Sequence, residues 1–182
     1  MRVALAWLVA LHMTLALPVA ADECNGDCTD RRACRETFDA TVAPVLARCG
    51  GYGGRGERQD LLRQARDTLI ATGLLPASAF QGVTIQWCPL TGSGMVPDPD
   101  LVLLNPGLQS NLFALTSILG HEMKHVEQYR RWGADGFKCR YSAEIRTFKG
   151  LGRGNSVERE AYDFQDRVEA TLKNASSPRQ AP

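Results

Sequence analysis

The segment His121-Glu122-Met123-Lys124-His125 constrains this chain more than any other. Histidines at i and i+4 stand one turn apart on one face of an α-helix, and both imidazoles can then reach a single metal ion. The chain has three histidines; His12 falls in an apolar leader, so the other two are both in this segment. The bland alternative is a pair of surface or core histidines on a helix. Glu122 stands beside them, where a carboxylate can touch a metal-held water. Zinc brings the pKa of such a water towards about 7, so a nucleophile forms at neutral pH. A neighbouring carboxylate can take its proton and pass it to a leaving amine. The metal can also polarise a carbonyl and steady the oxyanion.

The length, 182 residues, suits one domain around one core. Apolar residues at 44% and charged residues at 23% argue against disorder. Residues 1–21 start with Arg2, run apolar from Val3 to Leu17 and end in Val19-Ala20-Ala21. That is the pattern of a cleaved secretory signal, and the run is too short to cross a bilayer comfortably. An uncleaved anchor is the alternative. Asp22 and Glu23 before Cys24 are a poor context for lipid attachment. A secreted or periplasmic product with no stable membrane insertion is therefore expected. Loss of Arg2 brings 21 basic residues level with 20 acidic ones, which gives no reason to propose a nucleic-acid partner.

Cys24, Cys28, Cys34, Cys49, Cys88 and Cys139 all follow the leader. An even count in an exported chain reads as disulfides, here with 15 possible pairings. If residues 34–49 form one helix, Cys34 and Cys49 lie roughly 22 Å apart, too far to bridge. The spacings lack the paired Cys-x-x-Cys of a cysteine metal site.

Residues 22–33 read as a cysteine-stapled loop. Cys34, Phe38, Val42, Val45 and Cys49 recur at helical spacing, and a second helix is predicted over 58–71 with Leu61, Leu62, Ala65 and Leu69 inward. Together they suggest a helical hairpin. Val83, Ile85 and Trp87 alternate as a strand does, residues 91–100 read as turn, and residues 101–104 form a second strand, giving a small antiparallel sheet. Ser110 or Asn111 can cap a helix to about residue 132, with Leu112, Leu115, Leu119, Met123 and Val126 inward. Further helices are predicted over 137–148 and from Asn155 or Ser156 to about 172. The fold class is α+β, mainly helical: one domain over residues 22–173, with 174–182 as a disordered tail.

Catalytic zinc sites take a third protein ligand and leave a position for water. With no third histidine available, that ligand should be a carboxylate. Glu158 and Glu160, near the start of the last helix, are the candidates. Two residues turn a helical side chain by about 200°, so one should face the metal and the other solvent.

The segments HEMKHVEQYRRWG and VEREAYDFQ resemble metallopeptidases of the Glu-zincin type, above all the small bacterial HExxH proteins grouped as domain of unknown function 4157. The resemblance covers roughly residues 80–170. It implies a minimal zincin-like fold with an active-site helix and a later helix bearing the third ligand. Aligned on Ala161, that ligand is Glu158; Tyr162 stands where the family pattern has Asp, with Asp163 one place later. It further implies that the strand at 101–104 is the edge along which an extended substrate lies.

Tyr129, Tyr141, Arg140 and Tyr162 can line a cleft or help an oxyanion; a half-buried aromatic or a solvated cation is an equal reading of each. Residues 130–149 are mildly basic, which reads as a solvated face or as a surface for an anionic cell-wall polymer. Cys139 reads as a disulfide partner rather than a metal ligand. The expected function is a zinc-dependent peptidase, with one Zn2+ per chain held by His121, His125 and Glu158, Glu122 as general base and acid, and a peptide or protein substrate. The alternatives are a secreted binding or toxin-like protein with a structural zinc, a disulfide-rich interaction module, and a cell-wall amidase.

Overall fold

A computed structural model describes residues 31–50, 58–148 and 152–176. The signal-like leader, Cys24, Cys28 and most of the expected tail lie outside the described residues. Four helices and three strands make up the rest: α1 (Arg31–Gly50), α2 (Gln59–Ala71), β1 (Thr84–Trp87), β2 (Gly94–Asp98), β3 (Leu101–Leu104), α3 (Leu112–Phe148) and α4 (Ser156–Ser176). The α+β, mainly helical class is as expected.

Helix α1 buries Cys34, Phe38, Val42 and Cys49, and α2 buries Leu61, Leu62, Ala65 and Leu69, the faces their periodicity indicates. The expected hairpin does not form. Each of the two helices packs mainly on α3, whose Leu115, Leu119, Met123 and Val126 share one core with both stripes. A disulfide joins Cys49 at the end of α1 to Cys88, just past β1. It agrees with the exclusion of a Cys34–Cys49 pair.

The sheet differs from the expected antiparallel pair. Its order is β1-β3-β2, with β1 parallel and β2 antiparallel to β3. The missed strand is β2, inside the segment read as turn. Its glycine and proline signals have another cause. Pro97 sits on an edge strand, where a missing N–H is tolerated, and the register slips between Met95 and Asp98. A consequence is that β3 lies in the middle of the sheet and cannot serve as a free edge; β2 does.

Helix α3 is the centre of the molecule, packing on α1, α2, α4 and β2. Leu115, Leu119, Met123 and Val126 face the core as expected, whereas Leu112, in the first turn, is 37% exposed. The two predicted helices at 112–132 and 137–148 are halves of α3, separated by Gly133 at φ +71° and ψ 166°. That conformation is open only to glycine. It redirects the second half so that Phe137 stacks on Tyr129 with ring centroids 3.9 Å apart. Helix α4 crosses α3 closely at Gly120, where an added Cβ would fall 2.8 Å from Cγ2 of Val168. It extends through Ser176, so residues 174–176 are helical rather than part of a frayed tail.

Candidate metal centre

Helix α3 starts at Asn111, whose Oδ1 accepts from the Ala114 amide at 3.0 Å, satisfying one of the free N–H groups of the first turn. Nearly three turns further on, His121 and His125 project from one face with ring centroids 5.0 Å apart. Asn155 caps α4 in the same way, its Oδ1 accepting from Val157 and Glu158 amides at 2.9 and 3.2 Å. Glu144, on the second half of α3, receives both the amide and the hydroxyl of Ser156. These contacts fix the first turn of α4, and with it Glu158.

Glu158 Oε2 lies 3.3 Å from His121 Nε2 and 3.8 Å from His125 Nε2. One ligand atom from each of the three residues falls within 4.8 Å of the others, and all three residues are buried. Two imidazole nitrogens and one carboxylate oxygen converging this way could hold a metal ion. The other ring nitrogens are engaged elsewhere, which turns the remaining pair towards Glu158: His121 Nδ1 meets Gln165 Oε1 at 3.1 Å and His125 Nδ1 meets Gln128 Oε1 at 2.8 Å. Tyr141 donates to Glu158 Oε1 at 2.8 Å, leaving Oε2 to face the histidines.

Electrostatics follow from burial and these contacts. Burial drags His125 down to about 4, against the pull of Glu158. Burial acts on His121 as well, yet the Glu158 hydrogen bond and the nearby Glu122 charge outweigh it and raise its pKa. Burial also opposes ionisation of Glu158, but both histidines and the Tyr141 hydroxyl hold it below the ordinary carboxylate range. Glu122, 5% exposed, is pushed by burial up to about 8; His121 opposes that shift and Glu158 adds to it. A carboxyl of this kind is poised to take and release a proton near neutrality.

Glu122 lies against β2, where Gly94 leaves room for it. Both open on a cleft of about 470 Å³ whose walls come from α1, β2, α3 and α4, and which includes all three metal-facing residues. The strand lining this cleft is β2, through Gly94, Met95 and Val96, and not β3 as the resemblance implied.

Glu160 points the other way. It pairs with Lys124 at 3.1 Å and Arg131 at 2.8 Å and accepts from Gln128. Burial works against its ionisation, yet Arg131, Gln128 and Lys124 bring its pKa down to about 2. Tyr129 lies outside the cleft: it is 1% exposed and donates to the Pro97 carbonyl at 3.0 Å. Tyr141 and Tyr162 do line the cleft, Tyr162 packing edge-on against His121 with centroids 4.7 Å apart. Arg140 stacks over Trp132 instead. Asp163 pairs with Arg153 at 2.9 Å, and Cys139 is buried outside the metal-facing group.

Three residues at the site went unnoticed in the sequence. Gln128 lies three residues past His125, which helical spacing makes neighbours, whereas Gln165 meets His121 from another helix, a contact that spacing along one helix does not give. Gly94 carried no such signal. No family model, no curated protein and no solved structure matches this chain.

Proposed function

We propose that this chain is a zinc-dependent hydrolase cutting amide bonds in peptides, with His121, His125 and Glu158 as the metal ligands and Glu122 as general base and acid. The observation that carries this reading is the shared cleft. The three ligand atoms and the raised carboxyl of Glu122 open on one space, and that space is accessible from solvent. A purely structural zinc site has no use for a fourth, proton-exchanging carboxyl on an open cleft.

Zinc, when bound here, supplies Lewis acidity and a water that ionises near neutral pH. Glu122 takes the proton of the attacking water and returns it to the departing amine nitrogen. Glu158 and the two histidines hold position through Tyr141, Gln165 and Gln128. Strand β2, at the sheet edge and on the cleft wall, offers an extended peptide a backbone to lie along. This favours a peptide over a compact substrate.

Export fits the same reading. The Cys49–Cys88 disulfide is compatible with an oxidising compartment, and no helix among the described residues is long and apolar enough to cross a membrane. The test is hydrolysis of casein and of peptidoglycan by the zinc-loaded protein beside Glu122→Gln. Casein cleavage lost in Glu122→Gln supports the peptidase reading. Cleavage of peptidoglycan alone makes the protein a cell-wall amidase. No turnover of either, with zinc bound, favours a structural zinc protein.

A further inference from the structure

The two metal-facing histidines are backed by the same arrangement. His125 Nδ1 meets Gln128 Oε1, and Gln128 Nε2 donates to Glu160 Oε2 at 3.0 Å and to the Val157 carbonyl at 2.9 Å. His121 Nδ1 meets Gln165 Oε1, and Gln165 Nε2 donates to Glu169 Oε1 at 3.2 Å. Each histidine thus ends a His–Gln–Glu chain, one running along α3 and then across to α4, the other crossing from α3 to α4 and then running along it.

The chemistry of these partners leaves one arrangement of protons. A carboxylate and a backbone carbonyl can only accept, so the amide nitrogen of each glutamine must face them. Turning either amide over would set oxygen against oxygen. With the nitrogen committed, the amide oxygen faces the imidazole, and an oxygen of that kind can only accept. The ring nitrogen opposite it, Nδ1, must therefore carry the hydrogen. Nε2 is the nitrogen left to bind a metal on each ring, and it is the atom that lies beside Glu158 Oε2; with no metal there, His121 Nε2 donates to that carboxylate. Glu160 is anchored in turn by Lys124 and Arg131, and Glu169 accepts from Ser117 Oγ at 2.8 Å and pairs with Lys173 at 3.5 Å.

We infer that Gln128 and Gln165 are positioning residues that lock both histidines in the Nδ1–H tautomer, and that Glu160 and Glu169 hold the two amides in the only orientation that does so. A neutral amide does this without adding charge, so Glu158 remains the single anion among the three ligands. A carboxylate in the same place would make the imidazole more basic and the metal less electrophilic. The inference rests on the metal reading above, but the tautomer itself belongs to the protein alone.

The experiment reads the ring nitrogens by long-range 1H–15N NMR, in zinc-free and zinc-loaded protein, together with zinc affinity by competition with a chelator. The expected spectrum has a protonated Nδ1 on His125 without zinc and on both histidines with it. Gln165→Met should weaken zinc binding about 10–100-fold. The exchanged pair Gln165→Glu/Glu169→Gln restores an acceptor facing His121 and should recover the wild-type affinity or exceed it. Protonation of His125 at Nε2 in the zinc-free protein overturns the inference even if Gln165→Met fails to fold. So does wild-type affinity in Gln165→Met, and so does a loss that the exchanged pair fails to repair, which would assign Gln165 to packing. A wild type that binds no zinc contradicts the metal reading instead, while the zinc-free tautomer of His125 still decides this one.

Discussion

A Cβ added to Gly94 would fall 2.7 Å from Cγ and Cδ of Glu122, so strand β2 and the carboxylate occupy adjoining space with no margin between them. Gly94→Ala must therefore move the Glu122 side chain. His121, His125 and Glu158 are untouched by that change. Zinc content should stay at the wild-type level while hydrolysis falls by about 10²-fold or more, the contribution expected of a general base. Parallel zinc assays and peptide-cleavage rates check it.

Gly120 is the corresponding close approach between α3 and α4. An alanine there meets Val168 Cγ2 at 2.8 Å, in a fully buried position. Overpacking of this kind costs about 1–3 kcal/mol. Better helix propensity returns at most about 1 kcal/mol. Gly120→Ala should lower the urea midpoint, and it should weaken zinc binding too, because α4 carries Glu158. A variant with unchanged stability would mean that α4 shifts freely.

The general layout was legible in the sequence; its finer parts were legible only where one physical signal dominated. Helical stripes such as Leu61, Leu62, Ala65 and Leu69 survive in the fold because burial of an apolar face decides them. The histidine pair was legible because a shared metal needs two imidazoles one helical turn apart; a carboxylate near the start of the last helix was legible too, but the choice of Glu158 over Glu160 came from the family resemblance. Strand β2 was not, since Gly94 and Pro97 serve a close approach and a sheet edge while reading as turn residues. Nor was the choice between hairpin and separate docking for α1 and α2, since a buried stripe does not say which partner covers it. The His–Gln–Glu chains were hidden for a different reason: glutamine at a helix surface has no distinctive pattern until its partner is placed.

Zinc should stabilise the folded chain, which gathers three ligands that the unfolded chain leaves apart. Free zinc at a hundred times its Kd contributes about 2.7 kcal/mol. For a domain of this size that raises Tm by about 5–11 °C. Differential scanning fluorimetry with zinc, then with excess chelator, measures the rise and its reversal. Identical melting curves would contradict a native metal site.

The Cys49–Cys88 bond closes a separation of 39 residues and ties α1, one wall of the cleft, to the end of β1. Cys49→Ala/Cys88→Ala should lose about 2–4 kcal/mol of stability, read from chemical denaturation beside the wild type. A difference near zero would mean that packing of α1 on α3 alone holds this wall.

The most direct measurement is the zinc content of the purified protein, wild type beside His125→Ala and Glu158→Ala. One zinc per chain in the wild type, absent or much reduced in both variants, is the expected result. A wild type that holds no zinc under metal-replete, oxidising conditions would contradict the central claim, as would a Glu158→Ala variant that holds zinc as tightly as the wild type.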